Sequence, residues 1–114
     1  MKFQIAKKDG VTLLTIDGQL DALTVTDLRG ELDKLVDHRP TQVDVDLADL
    51  RLIDSSGVGA LVSLYKRVRA QGGKVAIKGL RDQPLAIFKL LRLDRVMVGA
   101  TGSAQSSKAL KSRG

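Results

Sequence analysis

Leu52-Ile53-Asp54-Ser55-Ser56-Gly57-Val58-Gly59 closes one apolar run and opens an amphipathic one. A carboxylate and two hydroxyls therefore stand where a strand hands over to a helix. Asp and Ser suit that junction because a side-chain oxygen can accept from the free backbone N–H groups of the first helical turn. The glycines let another surface approach the backbone. Downstream, Val58, Leu61, Val62, Tyr65 and Val68 follow helical spacing, with Ser63, Lys66, Arg67 and Ala70 on the outer face, and Gly72-Gly73 ends the helix. Upstream, Val43, Val45 and Leu47 alternate with Asp44 and Asp46, a strand with one wet face, and Leu50 to Ile53 lead into the junction.

The remaining segments extend this pattern. Phe3 and Ile5 alternate with Lys2 and Gln4; Asp9-Gly10 reads as a hairpin turn into a strand over 11–16. Asp17-Gly18-Gln19-Leu20-Asp21 carries that strand outward. Thr24 with Asp27 reads as a capping box for a helix whose inner face is Val25, Leu28, Leu32, Leu35 and Val36. Gly30 weakens that helix by about 1 kcal/mol against Ala, and Arg39-Pro40 stops it. Val75 and Ile77 form another strand. Asp82 is placed to cap a third helix, with Pro84 in its first turn and Ile87, Phe88 and Leu91 inward. Val96-Met97-Val98 reads as a short last strand, Ser103–Leu110 as a marginal helix, and 111–114 as a frayed end.

This order predicts an α/β fold: one domain over 1–114, with its core at about 3–98 and a marginal helix and tail at 99–114. Right-handed crossovers with the helices on one face place four to five mostly parallel strands in sequential order, with the N-terminal hairpin at one edge.

Composition narrows the function. The 114 residues are 43% hydrophobic but only 3% aromatic, so the core must be aliphatic. There is no cysteine, which removes disulfides, thiol catalysis and cysteine-based metal sites. The start has no apolar leader and no run reaches the roughly 20 residues of a membrane span, so a cytoplasmic protein is expected. The net charge of +6 is uneven. Residues 1–54 carry seven Lys/Arg and eleven Asp/Glu, whereas 55–114 carry twelve Lys/Arg and two Asp. Such polarity suits an acidic partner or an anionic surface. With so few aromatic side chains to stack on bases, direct nucleic-acid binding is not expected.

The lone histidine, His38, has no triad or ligand partners, so Ser55 and Ser56 lack an evident general base and hydrolysis is not expected. Asp44 and Asp46 share a wet strand face rather than a pocket. Gly57-x-Gly59 falls short of a dinucleotide fingerprint. No catalytic residue, metal or cofactor is expected. One use of the serines remains: a phosphoryl group at a helix N-terminus meets N–H donors and the positive end of the helix dipole. It adds about −1.5 to −2 charges, an effect felt by whatever docks over that corner.

Asp54-Ser55-Ser56-Gly57-Val58-Gly59, preceded by Val45-Asp46-Leu47 and followed by Gly72-Gly73, resembles the STAS domain of bacterial anti-sigma factor antagonists. Gly18-Gln19-Leu20-Asp21 resembles that family's Gly-x-Leu-Asp segment. The resemblance covers about residues 3–98. It implies a cytoplasmic, non-enzymatic partner switch that regulates transcription. The unphosphorylated antagonist binds an anti-sigma factor serine kinase and so releases the sigma factor. Phosphorylation reverses this, and a PP2C-type phosphatase resets it. The implied acceptor is Ser55, with Ser56 second, and the implied partner-binding residues are Asp21, Asp54, Ser56, Gly57, Val58 and Gly59. A second reading is a constitutive STAS subunit of a membrane lipid-transport ATPase complex. The basic second half lies outside these motifs.

Overall fold

The computed structural model describes residues 1–97. Its elements are β1 (Lys2–Lys8), β2 (Val11–Leu20), α1 (Val25–Asp37), β3 (Gln42–Asp46), β4 (Leu50–Ile53), α2 (Ser55–Ala70), β5 (Lys74–Lys78) and α3 (Asp82–Leu90). Asp9 and Gly10 both have positive φ, the geometry that matches a two-residue turn to the twist of its strands. They fold β1 antiparallel onto β2, pairing Phe3 with Ile16 and Ile5 with Leu14.

The sheet runs β1-β2-β3-β5, the expected sequential order. A fifth strand was not expected where it occurs. β2 has ten residues and pairs in parallel twice: its first half with β3, and its Gly18–Leu20 end with β4, the register shifting between Gly18 and Gln19. The stretch read as a lead-in to the junction is thus a strand of its own, hydrogen-bonded beside Gln19 and Leu20.

One face of the sheet makes the core. Leu14, Ile16, Val43, Val45 and Ile77 are buried against Leu28, Leu32, Leu35, Leu61, Leu64 and Val68 of α1 and α2. All five residues expected on the inner face of α1 are buried. The other face stays polar: Asp44 accepts from Gln42 at 2.7 Å and pairs with Lys78 at 3.1 Å.

The C-terminal third departs from expectation in three ways. Asp82 is the first residue of α3, at φ 55°, and Arg81 in the N-cap position makes no side-chain cap. Phe88 is fully buried, yet Leu91 is 51% exposed because the helix has ended and the chain reverses there. Val96 and Met97 lie in a turn, not a strand; Met97 O accepts from Ile77 N–H of β5 at 3.1 Å. Val98, the Ser103–Leu110 helix and the frayed end lie outside the described residues.

Candidate functional site

Two chain reversals meet at the end of β2. The first is a capping box one turn earlier than Thr24–Asp27. Asp21 Oδ1 accepts from Thr24 N–H at 3.0 Å, and Thr24 Oγ1 accepts from Asp21 N–H at 2.9 Å. Thr24 itself is already helical in backbone conformation and makes no cap of its own. Asp21-x-x-Thr24 and Thr24-x-x-Asp27 have the same spacing, and only the backbone conformation chooses between them.

The second reversal is Asp54, in extended conformation before α2. Its Oδ1 accepts from Gly57 N–H at 3.1 Å, which caps the helix. Its Oδ2 accepts from Ala22 N–H at 3.2 Å, in the turn that follows Asp21. One carboxylate therefore ties together two loops that are 32 residues apart. Asp54 N–H in turn donates to Leu20 O at 3.1 Å.

Gly57 allows this closure. A Cβ there would stand 2.7 Å from Leu20 O and 2.8 Å from Ile53 Cγ1 and Leu20 Cγ. Gly57 and Val58 are both buried, so their part is to seat the helix against β2 and the core. The surface of the corner is offered by Asp54, Ser55 and Gly59, all exposed, with Ser56 and Asp21 half-buried.

Four further residues shape the corner, of which Leu23 and Gln83 lie in no motif. Leu23 is 87% exposed and Leu52 is 51% exposed. Leu52 lines a cleft of about 260 Å³ with Gln19, Asp21, Asp54 and Gln83. The Gln83 side-chain amide pairs with both backbone groups of Ile53, accepting at 2.9 Å and donating at 3.0 Å, and so covers the free edge of β4 as another strand would. Leu20 contributes its carbonyl, the acceptor for Asp54 N–H, and a side chain that packs beside Gly57. The available signal was apolar residues outside any helical or strand period, at Leu23 and Leu52.

The electrostatics follow from these bonds. The Thr24 N–H, then the Thr24 hydroxyl, Leu23 N–H and the Gln19 amide, hold the Asp21 carboxyl below its ordinary value of 3.8, outweighing some desolvation. A lowered folded value stabilises the fold fully above the unfolded value and ceases to do so as pH falls through the folded one. The urea midpoint of the native chain should therefore exceed that of Asp21→Asn at neutral pH, and the gap should narrow below about pH 3.8. Asp54→Ala removes a cap and a loop-to-loop bond together. It should cost about 1–2 kcal/mol in urea unfolding, and Asp54→Asn, which keeps an acceptor oxygen, less than half of that.

Among the described residues no three His, Cys, Asp or Glu side chains are grouped to hold a metal, and no helix is long and apolar enough to cross a membrane. His38 is exposed at the end of α1, with Nδ1 2.7 Å from Lys34 O.

Residues 3–99 match the family model described as Mlab, STAS domain. The chain belongs to the STAS domain family. Among curated STAS relatives, the anti-sigma F factor antagonist of Paenibacillus polymyxa is 27% identical over 98 residues, covering 85% of this chain and 84% of the relative. The anti-sigma-B factor antagonist of Bacillus subtilis is 26% identical over 84 residues, covering 74% and 76%. Solved STAS-like folds include an anti-sigma factor antagonist from Mycobacterium paratuberculosis, with a TM-score of 0.74, 21% identity, and coverage of 84% and 81%. The phosphorylated form of the Bacillus cell fate determinant SpoIIAA gives a TM-score of 0.70 at 20% identity, covering 85% and 89%.

Proposed function

We propose that this STAS domain is an anti-sigma factor antagonist whose partner binding is switched at Ser55. In the unphosphorylated form it binds an anti-sigma factor serine kinase and frees the sigma factor. Phosphate on Ser55 breaks that complex, and a PP2C-type phosphatase restores it. The chain acts as a regulatory binding protein and kinase substrate in the cytoplasm, without cofactor or direct nucleic-acid contact.

One observation carries this reading. Ser55 is exposed as the first residue of α2, beside the Asp54 carboxylate that draws in the Asp21 turn. A phosphoryl group there meets the positive end of a 16-residue helix, so the host fold tolerates it. The same group adds charge next to the Asp54 carboxylate, and so changes the docking surface far more than the fold. The names of the curated relatives support the antagonist role, and a phosphorylated form is among the solved structures of SpoIIAA, whose fold is similar.

The test is intact mass with site mapping on protein purified from its native cells, with and without phosphatase treatment. A phosphatase-sensitive gain of one phosphate at Ser55 is expected. Phosphate at Ser56 would keep the switch and move its acceptor. No phosphate across growth and stress conditions would sink the switch in favour of the constitutive subunit of a lipid-transport ATPase.

A further inference from the structure

The end of α3 carries a feature that the Ser55 corner does not use. Leu90 is 77% exposed, Leu91 51% and Val96 57%. They stand among Lys89, Arg92 and Arg95, and among the described residues none of these three cations is paired with a carboxylate. The one acid nearby in sequence is Asp94, and residues 98–114 add Lys108, Lys111 and Arg113 with no Asp or Glu.

The leucines are held outward by the backbone. Phe88 is fully buried and Met97 is 1% exposed, so the segment between them is anchored at both ends. Leu93 N–H reaches back to Phe88 O at 2.8 Å and Arg92 N–H to Lys89 O at 3.0 Å. This reversal needs a left-handed residue, usually glycine, and the chain places Arg92 there at φ 60°. The tight turn leaves Leu90 and Leu91 on its outer side with a cation next to them.

We propose that this tip docks on an anionic lipid surface, with Leu90, Leu91 and Val96 entering the interface and Lys89, Arg92 and Arg95 at headgroup level. The choice of a bilayer over an acidic protein rests on area and charge. A stable protein interface needs about 800 Å² per partner, far more than three aliphatic side chains supply. A bilayer needs no shape complementarity and rewards each inserted side chain and each cation separately. Long basic side chains also lay their methylenes along apolar surface while their charges stay in water. Binding would be peripheral and reversible, independent of any partner at Ser55.

The test is co-sedimentation of the full chain with vesicles of phosphatidylcholine alone and of equimolar phosphatidylcholine and phosphatidylglycerol. Binding is expected only to the anionic vesicles and should weaken as salt is added. Leu90→Ser with Leu91→Ser should lower partitioning roughly tenfold or more while the thermal midpoint holds, since both side chains are largely solvent-facing. Arg92→Gly gives the sharper reading. It relieves the left-handed strain and so should raise the thermal midpoint, while removing one cation should weaken vesicle binding about fivefold. Equal binding to both vesicle types, or none to either, would overturn the proposal. So would unchanged binding by the double leucine variant, which would leave only diffuse attraction by the basic half. Retention on immobilised polyglutamate without vesicle binding would assign the surface to an acidic protein and overturn it as well.

Discussion

Ser55→Asp is expected to weaken capture of the native partner on the order of a hundredfold, since an uncompensated like charge in an interface costs several kcal/mol. The fold should barely notice. An acid in the first turn of a helix interacts favourably with its dipole by about 0.3–1 kcal/mol, and α2 has no acid in that turn at present. Ser55→Ala should do the reverse: it retains the partner and resists release by ATP. Native protein and the two variants used as baits in native lysate, each with and without ATP, give six arms. If Ser55→Asp and native protein recover the same partner equally, the docking surface lies elsewhere. If ATP releases the partner from Ser55→Ala as readily as from native protein, the acceptor is not Ser55. For a constitutive subunit, ATP should not dissociate the complex in any arm.

Gly57→Val should destabilise the domain by about 3 kcal/mol and loosen the whole corner. The first added carbon alone would sit 2.7 Å from Leu20 O, and the branched methyls reach further into Leu20 and Ile53. Overpacking of this kind typically costs about 1–3 kcal/mol. Leu20 O is also the acceptor for Asp54 N–H, so wedging it away adds a lost hydrogen bond of about 1 kcal/mol. The readouts are the urea midpoint, expected to fall, and amide exchange at Asp54 and Ala22, expected to rise. Gly59→Ala is the control, because a Cβ there meets nothing within 4 Å. It should leave stability level or raise it slightly, by up to about 1 kcal/mol from helix propensity. A Gly57→Val variant as stable as native protein would mean that the helix start can shift without cost, and the account of the corner would fail.

How far the fold was legible depended on whether a signal was local. The inner face of α1 was readable because Val25, Leu28, Leu32, Leu35 and Val36 follow the helical period within a single segment. The Asp9-Gly10 hairpin was readable because its two-residue turn demands positive φ, which those residues accept. Asp54 at the head of α2 was readable for the same kind of reason: its bond to Gly57 spans three residues. The strand order followed from connection handedness once the wet and dry faces were assigned.

The rest needed the folded chain. Asp21 or Thr24 could each begin a capping box, and the choice fell to the backbone conformation at Thr24. Leu91 kept the helical period inward, but α3 ends at Leu90 and the left-handed Arg92 turns the chain away. β4 could not be inferred from its own four residues, because a strand exists only through its neighbour, here the far end of β2. The candidate site is of this second kind. Asp21 and Asp54 were visible as two separate motifs, but Ala22 N–H reaches Asp54 Oδ2 only because β2 and β4 run side by side and Gly57 lets α2 settle against Leu20. Local sequence was enough for the inner face of α1, the hairpin turn and the cap at the head of α2, since those signals span only a few residues. The cleft beside Asp54 needed the folded chain, because Gln19, Leu52 and Gln83 come from three segments that only sheet pairing and helix docking bring together.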